Sequence, residues 1–338
     1  MTETPGNGIY SGEGTLPNDI PTTQEYIKTI MDEVFEYEAK TNGMTPDPAI
    51  AQAAQQAGKF SLATMETTGL GNYDVLEGYP TGAGSITWED YQLECDRGIR
   101  YLVDPKESVL GGGLATAVAF LANATREKFT PEVDAYRFSK IYSIINANTA
   151  IKTSHIKSEA SLSGSDILSS VIDGIDKVAD ETGVDTGLTV YMNNELRNML
   201  HKSSEYERTK DISAVGAFNS EITNINGNNI VWVPKKRMMT TITLKDGYTN
   251  AYSDTATKTV DWNQFGYTKG SGAKYMNFVV TTPNTCMGLM NINRPKIITK
   301  EQSERYDADQ VLVRMWHDLI IPKNKQPGVY ISVGGTVS

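Results

Sequence analysis

The segment Lys59–Pro105 constrains this chain more than any other. It reads KFSLATMETTGLGNYDVLEGYPTGAGSITWEDYQLECDRGIRYLVDP. Phe60, Leu62 and Thr64 alternate with Ser61, Ala63 and Met65. Ile86, Trp88 and Asp90 alternate with Thr87, Glu89 and Tyr91. Period-two alternation bounded by Gly, Asn, Asp and Pro predicts the two strands of a β-hairpin. The tip between them, from Thr67 to Gly84, holds Gly69, Gly71, Gly78 and Gly82. It exceeds the roughly two to five residues of a tight hairpin connection. A long glycine-rich tip buries little of itself, so an arm reaching toward a neighbouring molecule is expected. Tyr73, Tyr79, Trp88 and Tyr91 lie on or near this arm. Aromatic side chains on a projecting element are candidate inter-subunit anchors. Mutual cover across the hairpin accounts for them equally well.

Before the hairpin, Met1–Pro21 is polar with scattered Gly and Pro, and reads as an extended arm ordered only by a partner. Thr22 and Glu25 fit a capping box. Ile27, Ile30, Met31, Val34 and Phe35 then share one helical face, and Asn42-Gly43 ends the helix. The carboxylates around that helix read as its solvated face, with a docking site for a basic partner as the lesser alternative. After Asp104-Pro105, Leu110, Leu114, Val118 and Leu121 mark a long alanine-rich helix. Thr130-Pro131-Glu132 suits either a fresh helix start or a kinked continuation. Phe138, Ile141, Tyr142 and Ile145 carry the next apolar stripe, as far as Asn146-Ala147-Asn148.

Thr149–Gly164 reads as a loop. Leu168 to Val178 predicts a helix closed by Gly183, Leu188–Met192 a strand, and Asn193-Asn194 the cap of a short helix through Leu200. Ile230–Val233 is an apolar strand, Lys245–Lys274 irregular surface, and Phe278–Val280 another buried strand. The C-terminal part offers Ile297-Ile298, Val311–Trp316, Leu319–Ile321 and Val329–Val333 as strands. Helix-strand-helix-strand order in the middle implies a compact α/β lobe.

The 338 residues, 39% of them hydrophobic, suffice for one large domain or two medium ones. A mean hydropathy of -0.36 and the lack of a long apolar run argue against a helical membrane span. The polar N-terminus leads us to expect no signal peptide. A net charge of -10 argues against nucleic-acid binding through a basic surface. Cys95 and Cys286 lie in no CxxC pair and are expected as reduced thiols, with a disulfide as the alternative.

The chemistry of catalysis is sparse. His155, His201 and His317 stand far apart in sequence and outside any HExxH pattern, so no metal site is expected. Gly111-Gly112-Gly113 opens a helix but lacks the Lys-Ser/Thr of a phosphate loop. It reads as a candidate hinge between arm and helix. Gly270-Ser271-Gly272 lacks the nucleophile-elbow pattern, and Asp307 with Asp309 reads as a solvent-facing pair. No nucleophile meets a base. A non-enzyme without cofactor is expected.

Several long segments carry a resemblance: METTGLGNYD (Met65–Asp74), GYPTGAGSITWEDYQLECDRGIRYLVD (Gly78–Asp104), TPEVDAYRFSKI (Thr130–Ile141) and NFVVTTPN (Asn277–Asn284). In this order they resemble the major capsid proteins of tailed bacteriophages of Gram-positive bacteria, which share the Hong Kong 97 fold. The resemblance implies an α+β protein with an N-terminal arm (1–58) and an extended loop (59–105). It further implies a peripheral domain with a spine helix and closing strands (106–148 and 278–338), and an axial domain (149–277). In that family the extended loop lies over the peripheral domain of the neighbour. The implied function is self-assembly into hexamers and pentamers of an icosahedral shell around double-stranded DNA. Implied partners are other copies, a separate scaffolding protein, a portal and decoration proteins, with no membrane. The implied location is the virion, and the host cytoplasm during assembly. A nanocompartment shell protein of the encapsulin type is the alternative on the same fold.

Overall fold

The computed structural model describes residues 20–46, 48, 50–52, 59–76, 78–103, 120–202, 224–249, 259–292, 295–298, 300–303 and 308–337. The chain opens with helix α1 (Ile20–Glu38), followed by strands β1 (Lys59–Thr67), β2 (Gly84–Gln92) and β3 (Cys95–Val103). Next come α2 (Thr130–Ala147), the short α3 (Lys152–His155), β4 (Ile156–Ser158), α4 (Gly164–Thr182), β5 (Thr189–Asn193) and α5 (Asn194–His201). The rest is mainly strand: β6 (Asn224–Ile225), β7 (Asn228–Val233), β8 (Ile242–Leu244), β9 (Tyr267–Lys269) and β10 (Lys274–Thr281). It closes with β11 (Met287–Ile292), β12 (Lys296–Ile298), β13 (Asp309–Ile320) and β14 (Val329–Thr336).

Two compact units result, one of Met1–Asn42, Cys95–Asp134 and Met290–His317, the other of Gly43–Glu94, Ala135–Leu289 and Asp318–Ser338. In the first, Ile27, Met31, Phe35 and Ala39 recur three to four residues apart on α1 and bury against Leu121, Val133, Ile297, Val311 and Val313. Ile30 and Val34, expected on the same stripe, are only half-buried. The helix also begins at Ile20, ahead of the Thr22 expected to cap it. In this unit β3 pairs antiparallel with β13, Val103 facing Asp309 and Cys95 facing His317. The hairpin stretch therefore ends at Gln92, and Cys95–Val103 pairs with a strand more than two hundred residues away.

The second unit is built on a six-stranded sheet in the order β4-β14-β10-β5-β7-β6. One face buries Phe138, Ile141 and Ile145 of α2 against Tyr191, Val279, Ile331 and Val333. The other buries Ile167, Val171, Ile175 and Val178 of α4, with Leu196 and Leu200 of α5, against Val190, Met192, Phe278 and Tyr330. Both sheet faces are thus covered by helices, which fits the unbroken apolar runs Val190–Met192 of β5 and Phe278–Val280 of β10. Gly174 lets α4 approach the sheet: a Cβ there would lie 2.8 Å from the Tyr330 ring. β10 and β14, placed by the resemblance among the closing strands of 278–338, lie in one sheet with β5 and β7.

Three local expectations are corrected. Thr149–Gly164, expected as loop, contains α3 and β4, and β4 pairs parallel with β14. Within Lys245–Lys274, expected as irregular, β9 pairs with β8. Val311–Trp316 and Leu319–Ile321, expected as two strands, are one strand as far as Ile320. At Pro131 the helix continues and does not start afresh. A π-turn over Thr125–Phe129 runs directly into α2, with the Thr130 N–H donating to the Thr125 carbonyl. Proline has no N–H to give the helix, and widening the preceding turn absorbs the disruption.

A half-buried carboxylate, Glu159, fastens β4 to its surroundings. It accepts from Ser332 Oγ at 2.5 Å and from Ser170 Oγ at 2.7 and 2.8 Å, and pairs with Lys157 Nζ at 2.9 Å. Burial pushes its pKa up, but the Ser332 and Ser170 hydroxyls and the Lys157 ammonium together outweigh burial and hold it below the ordinary glutamate value of 4.5. A carboxylate with a depressed folded pKa adds stability above its unfolded pKa and loses it as pH falls through the folded one. Glu159→Gln is therefore expected to lower stability at neutral pH and to flatten the fall below about pH 4.5. Urea denaturation of both chains at pH 7 and at about pH 3.5 checks this; equal losses at the two pH values would refute it.

Candidate assembly interface

The hairpin β1–β2 is in register over its whole length, Lys59 facing Gln92 and Thr67 facing Gly84. Residues directly opposite share a face. One face carries Phe60, Leu62, Tyr91 and Glu89, the other Ala63, Met65, Ile86 and Trp88. The two faces have different fates.

The first face docks on its own unit at the base. Phe60, Leu62, Tyr91 and Leu93 pack against Met287, Leu289 and Ile320. The Phe60 and Tyr91 rings stack at 5.9 Å, and the Tyr91 hydroxyl donates to Glu89 at 2.6 Å. Lys323 Nζ pairs with the same carboxylate at 2.9 Å. The Tyr91 and Lys323 hydrogen bonds hold the Glu89 carboxyl below its ordinary pKa, while burial and then Glu89 push the Tyr91 phenol up. Below Tyr91, Asp318 accepts from the Glu94 N–H at 3.2 Å and from the Tyr136 hydroxyl at 3.0 Å. The arm expected to reach toward a neighbour is thus anchored at its base on its own unit.

The second face is bare. Met65, Ile86 and Trp88 are 68, 59 and 67% exposed on adjacent rungs. Beyond them the tip is apolar and open, with Leu70, Val75, Leu76 and Tyr79 exposed. It is nevertheless ordered by its own bonds. Asp74 and Gly78 exchange backbone hydrogen bonds of 3.2 and 2.8 Å, and Asp74 Oδ1 accepts from the Leu76 N–H at 2.6 Å. Tyr73 and Tyr79 meet with ring centroids 5.0 Å apart. Gly71 sits under Pro80, where a Cβ would come within 2.6 Å, so at this position glycine serves packing.

Of the sequence-predicted residues, the structure brings Tyr73 and Tyr79 together at the tip, leaves Trp88 on the bare face, and sets Tyr91 into the anchored one. Gly111, Gly112 and Gly113 lie outside the described residues, as do Asp307 and most of the alanine-rich helix. Missed by the sequence reading were Met65 and Ile86, which flank Trp88; their alternation with Thr64 and Thr87 was the available signal. His155 is buried, its Nε2 3.1 Å from Glu181 and 3.2 Å from the Pro327 carbonyl. Cys95 and Cys286 are buried and share no disulfide, and burial pushes the Cys286 thiol up to about 12. Among the described residues no cluster of side chains is suited to a metal ion, and no helix is long and apolar enough to cross a membrane.

By sequence, the chain matches no family model and no curated protein. By structure it is similar to a chain of Mycobacterium phage Che8, at 14% identity and TM-score 0.54, over 87% of this chain and 90% of that one. It is similar to the capsid structure of the cyanophage P-SCSP1u, at 7% identity and TM-score 0.54, over 84% and 85%. It is similar to the mature capsid of bacteriophage PhiM1, at 11% identity and TM-score 0.51, over 84% of both chains. The fold is therefore the α+β, Hong Kong 97-like fold of tailed-phage capsid proteins.

Proposed function

We propose that this chain is a major capsid protein whose copies build the icosahedral shell of a tailed bacteriophage. The observation that carries this reading is the hairpin, fixed at its base and apolar on its outward face and tip. Contiguous apolar surface on a projecting element marks a contact site between molecules. Copies in a ring each place this arm on the next, and a head-to-tail contact repeated by rotation closes. Hexamers and pentamers arise from the same contact at two closing angles. A standard contact buries roughly 1,600 Å² in total, and several linked contacts per subunit multiply. The net charge of -10 suits a wall around DNA that does not grip it.

In this reading the six-stranded lobe forms the axial region around the ring axes, and a separate scaffolding protein, a portal and decoration proteins complete the particle. The virion is its location, after assembly in the host cytoplasm. The test is electron microscopy of the purified chain, alone and with the scaffolding protein. Rings or closed shells are expected. A chain that stays monomeric in both preparations overturns the proposal, and shells filled with a protein cargo would assign it to the nanocompartment class.

A further inference from the structure

The second unit carries opposite charge at the two ends of its strand order. The solvent face of α4 presents Asp166, Asp173, Asp176 and Asp180, while Glu181 pairs with Lys177, the one cation on that helix, at 2.6 Å. Lys157 of β4 reaches Asp173 at 3.6 Å, which places this acidic face beside the edge strand β4. At the other end Arg197 of α5 lies over the Trp232 ring of β7, 5.9 Å from its centroid. Lys202 follows α5, and Lys235, Lys236 and Arg237 follow β7 after Pro234, with Lys235 Nζ 4.5 Å from the centroid of the Tyr275 ring of β10. Glu195 offsets one of these cations, pairing with Lys235. Three strands, β14, β10 and β5, separate β4 from β7. At about 4.8 Å per step those two strands stand roughly 19 Å apart.

We propose that these two patches meet between copies: the acidic face of α4 in one subunit docks on the basic end of α5 and β7 in the next. The inference rests on the shell reading above. A head-to-tail ring needs two different, complementary patches on opposite sides of each copy. Opposite charges at the two ends of one lobe supply them, and like ends repel, which excludes head-to-head pairing. Each patch also holds one exposed apolar side chain, Val184 just beyond α4 and Met199 on α5. The second copy is the occupant because the charges match within one sequence. A basic foreign partner would leave the Lys236 side without a role.

The test uses charge reversal at exposed positions. One variant carries Asp176→Lys with Asp180→Lys, a second Lys202→Glu with Lys236→Glu, and a third all four. The readout is the yield of rings or shells by sedimentation, with circular dichroism to confirm folding. Each two-site variant is expected to assemble at least tenfold less than the unmodified chain at low salt, and the four-site variant to return to within about threefold. Assembly of the unmodified chain should also weaken from about 0.05 to about 0.5 M salt, as the Debye length shortens. Two-site variants that assemble normally, a four-site variant that is folded and does not recover, or a flat salt response each overturn the proposal. If a variant misfolds, the salt titration decides. If the unmodified chain never assembles, the shell reading falls and this contact with it; if it assembles and the reversals do nothing, only the contact falls.

Discussion

Replacing Thr68–Ala83 by Asn-Gly is expected to leave a folded subunit that forms no shells. Thr67 and Gly84 are the last facing pair of β1 and β2, so a two-residue turn can join them without disturbing the register. The anchored face, with Phe60, Leu62 and Tyr91, stays in place, and so does the core that receives it. What is lost is Leu70, Tyr73, Val75, Leu76 and Tyr79, all largely exposed in the subunit and so contributing little to its own stability. Each such side chain stabilises a contact by about 1.5–3 kcal/mol when fully buried. A net loss of only about 3 kcal/mol per contact already weakens it more than a hundredfold. Trp88→Glu tests the same surface with one substitution, because a carboxylate covered by a neighbour costs desolvation that no partner offsets. Denaturation midpoints near those of the unmodified chain, with no shells by electron microscopy, are the expected pair of results. Normal shells from the shortened chain would remove the arm from the account of assembly.

Why the hairpin was legible, and the use of its two faces was not, has a simple cause. Alternation assigns side chains to faces but not faces to partners. Phe60, Leu62 and Tyr91 are apolar, and so are Met65, Ile86 and Trp88. Which set is covered depends on Met287, Leu289 and Ile320, contributed by chain far downstream. The same non-locality hid β3. Its residues alternate as a strand should, yet only Leu93-Glu94 separate it from β2. Nothing nearby reveals that its partner is β13. β4 was hidden by its length: three residues carry no period, and its place is set by pairing with β14. The middle lobe was readable because Val190–Met192, Ile230–Val233 and Phe278–Val280 are short unbroken apolar runs within strands that pack on both sheet faces. The charge asymmetry of that lobe was not, since its acidic and basic residues are separated in sequence and only the strand order sets them at opposite ends.

Asp134→Ala is expected to cost about 3–5 kcal/mol in the unit that holds α1, the range for removing one member of a buried charged network. The Asp134 side chain is fully buried. It accepts from the Lys40 N–H at 3.1 Å, the Thr41 N–H at 3.2 Å and the Thr41 hydroxyl at 2.7 Å. Thr41 is itself fully buried, so water cannot take over the donors that alanine abandons. These bonds hold the turn that follows α1, the helix whose Ile27, Met31 and Phe35 are packed in the core of the same unit. Asp134→Asn should lose less, since the amide oxygen still accepts from Thr41 while the amide nitrogen turns a donor toward the Lys40 N–H. A chain with two compact units need not unfold in one step, so a global midpoint can miss a loss confined to one of them. Hydrogen exchange of the Thr41 and α1 amides is the decisive measurement. Protection there should fall at least a hundredfold in Asp134→Ala and by a smaller factor in Asp134→Asn, while the amides of β5 and β10 keep theirs. Equal protection of α1 in all three chains would show that its apolar stripe alone holds it down.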